Sequence, residues 1–392
     1  MESQMVNRDL YSSDNFLLHS DDSLLSNDRI FVGNQTDDFV VSSFLQNSKK
    51  VLMLGLGYGG ALRALLIDDN EVQVTAVDIN PNSMRATALI MENYFPGISN
   101  KVNYVQSDAL QYLKEYNGQP YDVICLDLYT REGYPLFILH DEFWIYLKNI
   151  LTEDGTVIFN SWGLPQQLSP LKGNTVQKSI AKFMGDHFSY LSALPNRRNI
   201  TFIAHLQQVP VIRQIVNTED FNAIDRLIVE FFPQRIKYAK KIKSENFKTL
   251  ENDVILTMDE FNDEMYKRWP HLVEKCNEAL VDLGYTQIRD IMELLDDPIK
   301  AKKMTKLLLE RNAIESATIP VLVGAYSFHK PEGLDWYLYW MLEEAEELMD
   351  THKEWVINTA LWQLLEVAAN PYANYDYWAS DIELLFNKLG LR

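Results

Sequence analysis

Apolar and polar positions along the chain change period near residue 210. Before it, short apolar runs, VLML from Val51, VTAV from Val74, VICL from Val123 and VIF from Val157, alternate with longer stretches of helical spacing such as ALRALLI from Ala61 and PNSMRATALIMENYF from Pro81. Runs that are apolar on both faces predict strands buried between helices, and the alternation predicts an α/β fold with a largely parallel sheet. SYLSALPN and NITFIAHLQ, separated by a turn from Pro195 to Asn199, predict an antiparallel pair closing that sheet. After 210 the spacing is helical, in EDFNAIDRLIVEFF, PHLVEKCNEALVDLG, IRDIMELL, PIKAKKMTKLLLERN, LDWYLYWMLEEAEELMD, HKEWVINTALWQLLEVAAN and YWASDIELLFNKLG. Residues 1–27 are polar and acidic, and 28–46 alternate around a GNQTDD centre, which predicts a β-hairpin. The expected division is an arm and hairpin over 1–46, a Rossmann-like nucleoside-binding domain over 47–210, and an α-helical domain of unassigned role over 211–392.

The stretch VLMLGLGYGG, Val51 to Gly60, carries the chemistry. A buried strand runs into a turn with glycines at 55, 57, 59 and 60, and a helix opens directly after it. Asp78 follows at the tip of the second strand, where a carboxylate can accept both hydroxyls of a ribose. Asp108, with Ser107 and Ala109, sits at the end of a third strand within reach of an adenine amino group, and Asp127 ends a fourth. Three carboxylates at successive strand ends suit a nucleoside with a cationic centre better than a pyrophosphate, which seeks positive charge. S-adenosylmethionine or a relative is the ligand class this predicts.

Downstream, the loop over 128–135 leaves the same sheet edge and places Tyr129 and Tyr134 to line an acceptor pocket. Asn160 and Trp162 end the fifth strand on that side. Gln35, Asp37 and Asp38 either face the donor or serve turn chemistry. Asp122, at the opposite edge, reads as structural. Five of the eight tryptophans fall between Trp336 and Trp378, at helical spacing that reads as core.

Composition narrows the function. A net charge of −19 argues against nucleic-acid binding, in which Lys and Arg neutralise phosphate. The basic tract KYAKKIK over 237–243 reads as a solvated helical face. Two cysteines, Cys125 and Cys276, write neither a disulfide framework nor a metal site. No stretch has the length of a membrane span, and MESQMVNRDLYSS lacks a signal-peptide core, so a cytoplasmic protein without membrane contact is expected. A homodimer is compatible with the sequence.

The order VLMLGLGYGG, VTAVDIN, VQSDALQYL, YDVICLDLYT and LTEDGTVIFNSW, over about residues 28–207, resembles the spermidine synthase-like branch of the class I S-adenosylmethionine-dependent transferases. The resemblance implies that Gly55, Gly57 and Gly59 pass the methionine-like tail, that Asp78 holds the ribose, that Asp108 and Ala109 meet the adenine, and that Asp127 is the base. Tyr58 and Ile79, beside these, are expected at the cofactor site, and Asp127 is expected to orient the acceptor or take its proton with Tyr129 as helper. Two departures stand out. The glycine turn carries Tyr58 where aminopropyltransferases of this branch usually carry Asp, and Asp127 is followed by Leu128, Tyr129 and Thr130 in place of a second Asp and a Pro. Those missing carboxylates would grip the free amine of the decarboxylated donor and repel the carboxylate of the intact one. The expectation is therefore a methyltransferase using S-adenosyl-L-methionine, acting on a small molecule or peptide. The alternatives are aminopropyl or 3-amino-3-carboxypropyl transfer, and a non-catalytic nucleoside-binding scaffold whose helical domain binds a partner.

Overall fold

The computed structural model describes residues 29–33, 35–46, 48–57, 59–67, 72–129, 133–162, 176–195, 199–207, 209–215, 218–246, 284, 298–311, 331–369 and 375–392. The strands are β1 (Lys50–Leu54), β2 (Gln73–Asp78), β3 (Val102–Gln106), β4 (Tyr121–Leu126), β5 (Leu151–Trp162), β6 (Tyr190–Pro195), β7 (Asn199–His205) and β8 (Lys240–Lys241). They form one sheet in the order β3-β2-β1-β4-β5-β7-β6-β8. The pairings from β3 through β5 are parallel, and those of β5 with β7, β7 with β6, and β6 with β8 are antiparallel. Helices in the first half are α1 (Val41–Phe44), α2 (Gly60–Leu65), α3 (Pro81–Tyr94), α4 (Pro96–Ser99), α5 (Ala109–Glu115), α6 (Asp141–Asn149) and α7 (Val176–His187). Those in the second are α8 (Ala223–Lys237), α9 (Pro298–Glu310), α10 (Pro331–Trp355), a π-helical stretch Val356–Leu361, α11 (Trp362–Ala369) and α12 (Ala379–Lys388).

Alternation along each strand sorts the sheet's side chains into two cores. Leu52, Leu54, Ile124, Leu126, Val157 and Phe159 face α5, α6 and α7. Val51, Met53, Val123, Cys125 and Ile158 face a second core that holds α2, α8, α9, α10, α11 and α12 together. The helical second half thus shares a continuous core with the sheet. Trp340, Trp355, Trp362 and Trp378 are buried in it, as a tryptophan stripe read as core requires. Asp122 is structural at the amino edge, where Oδ2 accepts from the backbone N–H groups of Lys49 and Lys50 at 3.0 and 2.9 Å.

Two local expectations are corrected. The hairpin expected over 28–46 is instead a 3-10 turn, Gln35–Val40, running into α1. Every residue from Asp37 to Leu45 is buried, so no solvent face exists for an alternating strand to present. Asp37 and Asp38 do not reach the donor side. Asp37 accepts from the N–H groups of Val32 and Gly33 at 3.1 and 2.8 Å, while Asp38 pairs with Arg235. The tract over 237–243 is not a helical face either. α8 stops at Lys237, and Lys240–Lys241 adds a short edge strand to β6, where lysine side chains protect an otherwise open edge. The helices expected from PHLVEKCNEALVDLG and IRDIMELL lie outside the described residues, Gly284 apart.

The first-half segment is fixed to the second half by aromatic packing. Phe44 is fully buried and stacks on Phe232 of α8, with ring centroids 5.7 Å apart and planes 6° from parallel. Phe44→Ala should destabilise the whole chain by about 3–5 kcal/mol in a urea titration; a loss under about 1 kcal/mol would mean that the two halves are held elsewhere.

Candidate functional site

β1 and β4 are neighbours whose onward connections run to opposite sides, so their carboxyl ends open the crevice at which such sheets bind ligands. The backbones come unusually close there. Asp127 N–H donates to Leu54 O at 2.9 Å, and Gly55 N–H donates to Val77 O at 2.9 Å. A Cβ on Gly55 (φ +85°) would lie 2.2 Å from the carbonyl oxygen of Asp127. Gly59 (φ +78°) is equally confined, against the Thr87 side chain of α3, whereas Gly57 (φ +50°) faces open space. Two glycines therefore serve packing, and the one between them leaves room beside the backbone.

A cavity of about 160 Å³ opens over this turn. Its lining gathers Gly55, Gly57, Asp78, Ile79, Asp108, Ala109, Asp127 and Tyr129 from four strand ends, with Leu128, Pro135 and Phe137 as an apolar wall. Gly59 lies behind the turn, away from this lining, and Tyr58 is outside the described residues. Ile79 is 56% exposed, a large apolar side chain left at the mouth. Among the described residues the lining carries three carboxylates and no Lys, Arg or His.

Each carboxylate is held differently. Asp78 accepts from Leu56 N–H through Oδ2 at 2.8 Å and from Asn80 N–H through Oδ1 at 2.7 Å. Burial raises its pKa, and these backbone donors work against that rise. Asp108, a lining residue, is the N-cap of α5, its Oδ1 accepting from Gln111 N–H at 3.0 Å. Asp127 is the exception. It is partly exposed as a residue, but Oδ1 is enclosed and has no hydrogen-bond partner. Burial, and then the charge of Asp78, push its pKa up to about 7. Tyr129 stays a neutral phenol, its pKa raised well above the usual range by burial and then by Asp127, so it can donate a hydrogen bond but not act as a base near neutrality.

Other residues expected at the crevice are elsewhere. Tyr134 is buried against Phe159, with ring centroids 6.2 Å apart, and belongs to the core. Asn160 is buried and ties two elements together, donating from Nδ2 to Gln35 O at 2.9 Å and accepting from Asn199 Nδ2 at 2.6 Å. The Trp162 side chain is outside the described residues. Pro135 and Phe137 are lining residues missed at the sequence level, where the stretch PLFILH gives no signal beyond its apolar run. Among the described residues, no group of three or more His, Cys, Asp or Glu takes a metal-binding arrangement, and no helix is long and apolar enough to cross a membrane.

The glycine geometry separates two substitutions. Gly57→Ala should cost only its left-handed backbone strain, about 1–2 kcal/mol. Gly55→Ala should cost clearly more, because the added methyl must also drive β4 away from β1; equal losses in urea unfolding would refute the close approach.

Residues 39–198 match the family model for the Spermine/spermidine synthase domain. The polyamine aminopropyltransferase of Ruegeria sp. (strain TM1040) is 26% identical over 186 residues, covering 44% of this chain and 63% of that protein. Its counterpart in Vibrio vulnificus (strain CMCP6) is 30% identical over 124 residues, covering 30% and 40%. A solved spermidine synthase from Thermotoga maritima aligns over 60% of this chain and 75% of its own, at 15% identity and a TM-score of 0.34. The chain spans about half the length of the curated relatives it matches. The family model and the curated aminopropyltransferases overturn the expected methyl transfer and its intact S-adenosyl-L-methionine donor. The physical error lay in weighing two absent carboxylates against a site that keeps three others and, among its described lining residues, offers no cation to the donor's carboxylate. Over the matched residues the chain carries a spermidine synthase-like class I fold of the S-adenosylmethionine-dependent transferases.

Proposed function

We propose that the chain transfers an aminopropyl group from decarboxylated S-adenosylmethionine to a small polyamine acceptor. The observation that carries this reading is the enclosed, unpartnered Oδ1 of Asp127 in a cavity whose described lining carries carboxylates as its only charged groups. Intact S-adenosylmethionine brings a carboxylate that would meet only like charge there; the decarboxylated donor brings two positive centres and none. The match of residues 39–198 to the spermine/spermidine synthase model supports the same choice. A net charge of −19 suits a cationic acceptor, which it draws toward the protein at low salt.

In this reading Asp78, held in place by backbone N–H groups, accepts the ribose hydroxyls. Ile79 and Ala109 flank the adenine, and Asp108 accepts from its amino group. The acceptor enters as an ammonium and gives one proton to Asp127. The freed lone pair attacks the methylene next to sulfur, the C–N bond forms as the C–S bond breaks, and the bonding pair returns to sulfur to leave neutral methylthioadenosine. The sulfonium is its own activation, so the protein's task is positioning and proton removal. Tyr129 donates to Asp127 or to the acceptor and takes no proton.

Three measurements test the reading. Calorimetric titration should show tighter binding of the decarboxylated donor than of intact S-adenosylmethionine; the reverse order would remove the proposal. The base must be ionised, so kcat/KM should rise with pH through about 7, the pKa of Asp127 in the free protein. A flat profile from pH 6 to 8 would take Asp127 out of the mechanism. Asp127→Asn should lower kcat by about 10²- to 10⁴-fold while leaving methylthioadenosine binding nearly intact. The same substitution should also stabilise the fold. A carboxyl whose pKa is raised on folding binds its proton more tightly when folded, so its ionisation costs stability as pH rises from about 4 to about 7. The asparagine variant should therefore melt higher than the parent at pH 8 and lose that advantage as pH falls toward 4.

A further inference from the structure

Behind the glycine turn, a buried ion pair joins the two halves of the chain. Arg235 of α8 and Asp38 of the 3-10 turn are both fully buried. Arg235 Nη1 donates to Asp38 Oδ1, and Nη2 to Oδ2 at 3.4 Å. Thr201 Oγ1 of β7 donates to the same Oδ2 at 2.7 Å. The guanidinium lies 4.0 Å from the ring centre of Trp362 and 5.3 Å from that of Phe232, so the second half presents it as a fixed fork. Removing Arg235 leaves the Asp38 carboxylate buried without this counterion.

The element that Asp38 belongs to is also the wall behind α2. Phe39, Val40 and Phe44 share a core with Ala61, Leu62 and Leu65. Ser43 Oγ donates to Ala64 O and Leu65 O, each at 3.1 Å, and so holds the end of α2. At the other end of the segment, Gln35 O is held by Asn160 at the carboxyl end of β5. α2 has six residues and starts at Gly60, directly after the turn. A helix of that length takes its stability from what it packs on.

We infer that Arg235 is a positioning residue for the glycine turn: through Asp38 it fixes residues 35–44, and through them the start of α2 and the path from Gly55 to Gly60. That the turn so positioned is a donor site rests on the aminopropyl-transfer reading; the mechanical link does not. The helical second half thereby acts on chemistry to which it contributes no described lining residue.

Arg235→Met and Thr201→Val, made in the full chain, test this by hydrogen exchange and binding. Arg235→Met should speed exchange in peptides spanning 55–66 while peptides from β6 and β7 keep their protection. It should also weaken methylthioadenosine binding and raise the donor KM by about tenfold, with the acceptor KM unchanged. Thr201→Val removes one donor to Asp38 at nearly constant shape, and should move exchange and binding in the same direction by less. Should Arg235→Met fail to fold, the valine variant decides. Unchanged exchange at 55–66 in the folded variant, or acceleration spread evenly over β6 and β7, would overturn the inference. A parent protein that binds no methylthioadenosine would overturn the functional reading alone, leaving exchange to decide the positioning role.

Discussion

Everything at the site depends on how closely β1 and β4 approach at their carboxyl ends. With a hydrogen at position 55 the two chains meet, and with a methyl they would overlap the Asp127 carbonyl. That contact puts the turn after β1 and the acid after β4 on one rim of the crevice. The glycine signature is usually read as a ligand requirement, but here Gly55 and Gly59 answer first to packing, one against β4 and one against α3. Gly57 alone has open space beside it, so it marks where a ligand can lie against the backbone.

Once that approach is fixed, charge determines what the cavity can hold. The three carboxylates differ in how much of their hydrogen-bonding capacity the protein already uses. Asp78 is supplied by backbone N–H groups, those of Leu56 and Asn80 among them, and Asp108 by that of Gln111, whereas the enclosed oxygen of Asp127 has none. A buried acceptor without a donor costs folding free energy on the order of 1–3 kcal/mol. That cost is recovered only when a proton or a cationic ligand arrives, which is the behaviour a base for an ammonium needs. In the aminopropyl-transfer reading, stability and function thus pull on the same oxygen in opposite directions, a pattern common at sites tuned for chemistry.

The strand–turn–helix–strand unit and the acids at its edge were legible in the sequence because each rests on a local rule. Four-residue apolar runs make buried strands, glycines permit the turn, and a strand end fixes which way its next residue faces. What failed was non-local. Asp37 and Asp38 look like turn residues until Arg235, nearly two hundred positions later, supplies the counterion for one of them. The alternation expected over 28–46 had no meaning once both faces of the segment were covered, one by α2 and the other by the helical half. Tyr134 and Asn160 sit on the correct edge of the sheet, yet point into packing with Phe159 and Asn199. The donor was misread because motif comparison counts acids position by position, whereas a ligand meets the sum of the lining.

The same non-local logic bears on why this sheet carries a long helical extension. Its helices share an apolar core with β1, β4 and β5, so the extension cannot swing away without exposing Val51, Met53 and Cys125. Within that core one cation is held in place by two aromatic rings, and it is aimed at the segment that backs α2. A purely structural filler would not need a buried charge, because apolar residues of the same volume pack at least as well. What a buried fork adds is direction: Asp38 has one low-energy place to be, and the segment carrying it, α2 and the glycine turn are registered against that place. The helical half therefore acts on the crevice from behind, as the support that sets where the turn lies.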